Sequence, residues 1–257
     1  MKHIKKKYLF QGTLPITNLN NLQKIDLLED NQKLLKQKSK DCFVGLKLSD
    51  SEEMIYAFIY NHNGKYINIP LPDYTLVYYN FAYSLNIERK KQQEILLSHL
   101  SNVDTITHDC SNELFNFYGL ASSYVVNLFT SIESFINSML PDGENYIVDG
   151  RKKTEVYNKI QIQENVCFMD KLKIVLPQFH KKNFFKDRTP TNQHIINLKN
   201  LRDEIVHTKS DIKLEISVEL FRRLLNFKYD ETLDSVASLM NFYKTNYIEA
   251  CGCGKDF

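Results

Sequence analysis

With 257 residues, 33 basic against 31 acidic side chains and 43% hydrophobic content, the chain has an ordinary globular composition and can hold one large domain or two modest ones. A net charge of +2 excludes a protein that coats duplex nucleic acid over its whole surface, so any nucleic-acid contact is expected at a local site. Five scattered cysteines (Cys42, Cys110, Cys167, Cys251 and Cys253) are poor material for a disulfide framework and point to a reducing compartment.

The basic start, Met1 to Tyr8, is followed by no apolar run of signal-peptide length, and nothing approaches the ~20 consecutive apolar residues of a membrane helix. A cytoplasmic protein without a membrane partner is expected. Leu19, Leu22, Ile25, Leu28 and Leu35 recur at near-helical spacing and predict a surface helix over residues 18–40. Alternating patterns then predict strands at Cys42–Leu48 and Met54–Tyr60. Asn63-Gly64 predicts a hairpin into the strand Lys65–Pro70, and Leu76-Val-Tyr-Tyr79 suggests one strand more. From Asn86 the period turns helical, with Ile87, Ile95, Leu97 and Leu100. The polar stretch Ser101–Cys110 suggests a domain boundary.

Beyond Ser111 every pattern is helical. A long helix over 111–140 carries Leu114, Phe117, Ala121, Val125, Leu128, Ile132, Phe135 and Ile136 on its buried side, with Pro141 as its stop. A second helix, 164–176, is expected to end at Pro177. Residues 177–190 make a basic, aromatic loop. Helices over 191–208, 217–226 and 230–248 complete a bundle.

The helix over 191–208 carries the chemistry. Leu198, Leu201 and Ile205 form its apolar stripe, and at about 100° per residue His207 falls on the opposite side. Asp203 lies about 40° from His207, one turn back, and Arg202 sits on the flank. Such a surface suits cleavage of a phosphodiester in RNA. Imidazole can take the proton of the 2′-hydroxyl near neutral pH. A guanidinium can hold the charge growing on the phosphorane oxygens. A carboxylate beside the imidazole would fix its orientation. This chemistry needs no metal and no other cofactor.

The run Leu198-x-x-Leu201-Arg202-Asp203-x-Ile205-x-His207 resembles the signature helix of the HEPN superfamily, in which an Arg is followed after four to six residues by a His and the residue after the Arg is commonly polar. Val126–Pro141 resembles that family's long early helix, and Phe168–Pro177 the short helix after it. The resemblance covers about 140 residues. With the alternating patterns upstream of it, the chain is expected to be α+β overall and mainly α: a small N-terminal α+β unit with an antiparallel sheet (1–105), the HEPN-like helical bundle that the resemblance implies (106–250) and a flexible tail (251–257). The resemblance further implies a metal-independent endoribonuclease, a homodimer that brings two Arg–His sets into one cleft, in a toxin or antiviral-defence setting with RNA as partner and an antitoxin or defence-system protein as a second one. Arg202 and His207 would be catalytic and Asp203 supporting. Members that have lost activity make the competing reading a silent module that binds RNA, a nucleotide or a partner protein.

Lys199 and Lys209 on the signature helix, with Lys181, Lys182 and Arg188 in the preceding loop, are the candidate RNA-binding cations. In that loop cations interleave with Phe179, Phe184 and Phe185, a pattern that suits single-stranded RNA. A solvated loop pinned by buried phenylalanines is the simpler expectation. Glu133 on the long helix could face the site, although a solvated Glu is the plainer reading. Cys251-Gly-Cys253-Gly resembles the first half of a short zinc knuckle, but two thiolates do not complete a tetrahedral site. A flexible tail without metal is expected unless a second subunit or a distant pair contributes ligands. The sequence contains no glycine-rich phosphate loop, no Gly-x-Ser-x-Gly and no His-Glu-x-x-His.

Overall fold

The computed structural model describes residues 3–9, 32–47, 54–102, 108–150, 153–207 and 214–254. The chain forms two compact units, Lys6–Leu76 and the remainder, Met1–Lys5 with Val77–Phe257. The architecture is mainly helical, with one three-stranded and one two-stranded antiparallel sheet among the described residues.

In the smaller unit, α1 (Gln32–Lys38) precedes β1 (Val44–Lys47), β2 (Met54–His62) and β3 (Lys65–Pro70), paired in the order β1-β2-β3. The turn joining β2 and β3 has Asn63 at φ 51° and Gly64 at φ 86°, the left-handed pair that a two-residue hairpin demands. Alternation along β2 buries Ile55 and Ala57. The side-chain amide of Gln32 brackets the backbone of Tyr66, donating to its carbonyl at 3.0 Å and accepting from its N–H at 2.8 Å, so α1 satisfies part of the β3 edge. Of the helix expected over 18–40, Leu19, Leu22, Ile25 and Leu28 lie outside the described residues; Leu35, inside α1, is buried.

The division between the units falls at Leu76/Val77, some thirty residues before the expected boundary at 105/106. Nor is Leu76–Tyr79 a strand. It lies in the first turns of α2 (Tyr74–Ser101), which Asp73 caps by accepting from the Thr75 N–H at 2.9 Å. The aromatic and β-branched run resembles a strand locally, but Leu76, Tyr79, Ala82, Asn86, Arg89 and Leu96 are buried at helical spacing. Long-range bonds fix α2 in the helical unit: Tyr79 donates to the Leu233 carbonyl, Asn86 to Asp230, and the Arg89 guanidinium lies 3.8 Å from the centre of the Tyr229 ring.

The core of the larger unit is α3 (Asp109–Met139), packed with α7 (Pro190–Val206) and α9 (Tyr229–Tyr243), while α8 (Leu214–Asn226) lies beside α3 and α7. Phe117, Ala121, Tyr124, Val125, Leu128, Ile132, Phe135 and Ile136 of α3 are at most 1% exposed, as the apolar spacing requires. Ile195, Leu198 and Leu201 of α7, and Val236, Leu239 and Met240 of α9, are fully buried against them. Burial raises the pKa of the Tyr79, Tyr124 and Tyr229 phenols well above the usual tyrosine value, so each stays protonated and donates to a backbone carbonyl.

Between α3 and α7 the chain departs from the expected single helix. A hairpin, β4 (Tyr146–Asp149) and β5 (Thr154–Tyr157), is followed by α4 (Lys159–Asn165), whose start is closed by a reciprocal cap between Asn158 and Gln161. A break at Val166–Cys167 leads to α5 (Phe168–Asp170), a π-helical turn (Lys171–Val175) and α6 (Leu176–His180). Pro177 therefore does not end the helix. The widened turn just ahead of it relieves the clash of the ring with the preceding carbonyl. The helix stops at Lys181, which is left-handed at φ 55°. Among the described residues no helix is long and apolar enough to cross a membrane.

Candidate functional site

Helix α7 opens on Thr189, whose hydroxyl caps the Asn192 N–H, with Pro190 at the first helical position. It closes at His207, where the backbone leaves helical geometry (φ −104°, ψ 37°). The His207 ring is exposed, and among the described residues it has no hydrogen bond or ion pair.

Arg202 is held three ways. Its guanidinium lies 4.6 Å from the centre of the buried Phe129 ring, 3.1 Å from Asp203 Oδ1 and 3.9 Å from Glu133 Oε2 of α3. Glu133 thus joins the site. The π-helical turn adds Lys171, nearly buried, with Nζ donating to the Gln163 carbonyl at 2.6 Å. Burial draws its ammonium below the usual lysine value, while the Glu133 carboxylate works the other way.

Asp203 does not orient His207. Its carboxylate is occupied by Lys199 at 2.8 Å and by Arg202 at 3.1 Å. Partial burial opposes its charge, but these hydrogen bonds outweigh that and hold the carboxyl below its ordinary value. The reason is helical spacing: Lys199, four residues earlier, meets the carboxylate within the helix, while His207 sits where the helix is already unwinding. What joins Asp203 to His207 is the backbone bond from the His207 N–H to the Asp203 carbonyl, 3.0 Å.

The expected RNA-binding cations fare differently. Lys199 stands at the site, paired with Asp203. Lys209 lies outside the described residues. Lys181, Lys182 and Arg188 belong to the loop before α7, separated from His207 by the helix's 17 residues, roughly 25 Å at 1.5 Å per residue. Lys182 is committed to the end of α9, donating to the carbonyls of Phe242 (2.7 Å) and Tyr243 (3.1 Å). The loop's Phe184 packs on Phe242, and Asn192 ties its backbone by donating to the Asp187 carbonyl at 2.6 Å. The loop is thus pinned by its aromatics, and its cations are not gathered at the α7 site.

Asp203 also lines an open polar groove of about 750 Å³ between α7 and the α8–α9 region, with His194, Asn197 and Asn200 on one wall and Arg223, Asn226 and Lys228 on the other. Away from it, α2 and α3 bring together a cluster that no sequence spacing announces. Glu113 accepts from His99 Nδ1 at 2.8 Å, and Cys110 Sγ lies 3.7 Å from His99 Nε2. The order of groups is that of an activated thiol, but the Cys110 side chain is fully buried, which gives a substrate no access to the sulfur.

No protein-family model matches this chain, no curated protein matches its sequence, and no solved structure matches its fold.

Proposed function

We propose that the larger unit is a HEPN-like endoribonuclease that cleaves RNA without a metal, using His207 for proton transfer and Arg202 for the charge on the phosphate. One observation carries this reading: α7 ends in an exposed imidazole, and one turn earlier presents a guanidinium fixed by Phe129, Glu133 and Asp203. Both carboxylates at the site are engaged by cations, which leaves the imidazole as the group able to accept a 2′-hydroxyl proton. The groove along α7 offers a nucleotide strand the amides of Asn197, Asn200 and Asn226, with His194 and Lys228, while Arg223 is paired with Glu204.

Five positions on a helix subtend about 140°, so Arg202 and the His207 that closes α7 start from different sides of it. A two-fold pairing of protomers would place the His207 of one copy beside the Arg202 of the other. The exposed apolar side chains Leu214, Val218 and Phe221, which share one face of α8, offer a surface for such a pairing. A cytoplasmic toxin or defence effector, held in check by a partner protein, is the setting this activity fits.

A specific observation favours a second reading. Arg202 is already shared by two carboxylates, as in a structural ion-pair network, which suits a silent module that binds RNA, a nucleotide or a protein. Incubating purified wild type and His207→Ala with total RNA in chelator separates the two. The enzyme yields fragments ending in 2′,3′-cyclic phosphate or 3′-phosphate, and the variant does not. Intact RNA with both proteins, or fragments ending in 3′-hydroxyl, refutes the enzyme.

A further inference from the structure

The two thiols of Cys251-Gly-Cys253 cannot by themselves hold a metal ion, but the fold brings them a third donor from the other end of the chain. Residues 3–5 run antiparallel to residues 249–251: Ile4 bridges Ala250, the Cys251 N–H donates to the His3 carbonyl at 2.6 Å, and the Lys5 N–H to the Glu249 carbonyl at 3.1 Å. A side-chain ion pair between Lys5 and Glu249, 2.6 Å, reinforces the pairing. Beneath it Ile4, Tyr247 and Ile248 are at most 5% exposed, and the Asn241 amide brackets the backbone of Ile248. This register sets His3 opposite Cys251. The turn at Gly252–Cys253, completed by Gly254 at φ 74°, folds the second sulfur back over the His3 ring.

We infer that His3, Cys251 and Cys253 form a binding site for a zinc-class divalent metal ion that clasps the first residues of the chain to its C-terminal segment. The three donor atoms lie within 4.8 Å of one another, and Cys253 Sγ is 3.5 Å from His3 Nε2. Tetrahedral zinc, with bonds of about 2.3 Å to sulfur and 2.05 Å to nitrogen, sets its donors roughly 3.6 Å apart for sulfur and nitrogen and 3.8 Å for two sulfurs. On distance the cluster comes within about an ångström of this requirement; the His3 ring must also turn to aim a nitrogen lone pair, because Cys253 Sγ, 3.5 Å from Nε2 and 3.9 Å from Nδ1, lies over the ring face. Two thiolates and one imidazole are a soft donor set that favours zinc over magnesium or calcium. With both thiols deprotonated the loaded site is neutral, which suits a His3 side chain only 8% exposed. Three protein donors leave the fourth position to water or to a donor outside the described residues.

The competing states are a Cys251–Cys253 disulfide and a thiol hydrogen-bonded to the imidazole, and one experiment distinguishes all three. The full chain, free of any histidine tag and reduced with a phosphine, is stripped of metal and titrated with cobalt(II). One equivalent should produce the thiolate charge-transfer band and the intense visible bands of a tetrahedral site, and zinc(II) should bleach both. Cys251→Ser and Cys253→Ser should each abolish the charge-transfer signal of the wild type. Cys42→Ser and Cys167→Ser should leave it unchanged. His3→Gln should weaken binding by more than the roughly 10–100-fold that loss of an outer partner costs. Because Cys253 is exposed, its serine variant keeps the fold, and zinc should raise the melting temperature of wild type but not of that variant. A reduced chain that shows no charge-transfer band overturns the inference. So does a band that survives unchanged in His3→Gln.

Discussion

Replacing Arg202 separates its proposed catalytic role from architecture, because the contacts of its side chain bound the architectural cost. Its side chain is 27% exposed and makes ion pairs with Asp203 and Glu133, themselves 34% and 41% exposed. Pairs so open to water contribute about 0.2–1 kcal/mol each. The guanidinium over Phe129 adds roughly 0.5–2 kcal/mol. Removing Arg202 leaves neither carboxylate alone, since Asp203 keeps Lys199 and Glu133 keeps the field of Lys171. Arg202→Ala should therefore cost about 1–4 kcal/mol, a fall in melting temperature on the order of 2–16 °C for a unit of this size.

If the guanidinium stabilises the phosphorane, the same change should slow cleavage by roughly 100–1,000-fold, the loss expected for one such donor. Arg202→Lys should recover the stability but not the rate, because an ammonium keeps the charge and loses the fork. Glu133→Gln should act in the opposite sense. A carboxylate 3.9 Å from the guanidinium competes with phosphate for it, and about 1 kcal/mol of attraction at that range, freed for the phosphate when the carboxylate is removed, corresponds to roughly fivefold tighter RNA binding. Single-turnover cleavage of an end-labelled RNA, with scanning calorimetry on the same preparations, gives both quantities. An Arg202→Ala protein that cleaves at the wild-type rate refutes the role assigned to the guanidinium, and one that melts more than about 20 °C earlier shows an architectural residue instead.

Three further outcomes are expected. Light scattering at micromolar concentration should report a dimer of the 30.2 kDa chain; a monomer that still cleaves RNA would refute the shared cleft. Because the Asp203 carboxyl is held below its ordinary value in the folded protein, its stabilisation is present above that value and is lost as pH falls through it into the acid range. Asp203→Asn should thus destabilise at neutral pH and flatten the acid arm of the stability curve, and an unchanged acid arm in chemical denaturation would contradict the pairing. In the native reduced protein, Cys42 and Cys167 should react quickly with iodoacetamide and Cys110 only on unfolding, as peptide mass spectrometry will show; fast native labelling of Cys110 would mean that the His99–Glu113 cluster opens to solvent.

What the sequence made legible was what depends on near neighbours. The buried stripes of α3 and α7, the Asn63–Gly64 hairpin and the exposure of His207 all follow from spacing along a single element. What it hid depends on partners distant in the chain. Leu76–Tyr79 looks like a strand until Leu233, Tyr229 and Asp230 are placed around α2, and Pro177 looks like a stop until a π-helical turn makes room for it. At the site the same division holds. A helical wheel sets Asp203 about 40° from His207, yet angle cannot say which neighbour wins a carboxylate. Lys199 and Arg202 carry charge and reach, whereas His207 stands where α7 gives way, so the aspartate serves the arginine and not the histidine. Glu133 arrives from another helix, and His3 reaches Cys253 from the far end of the chain. No local period encodes either meeting. In both places the chemistry lies between elements, and there the sequence supplies only the donors.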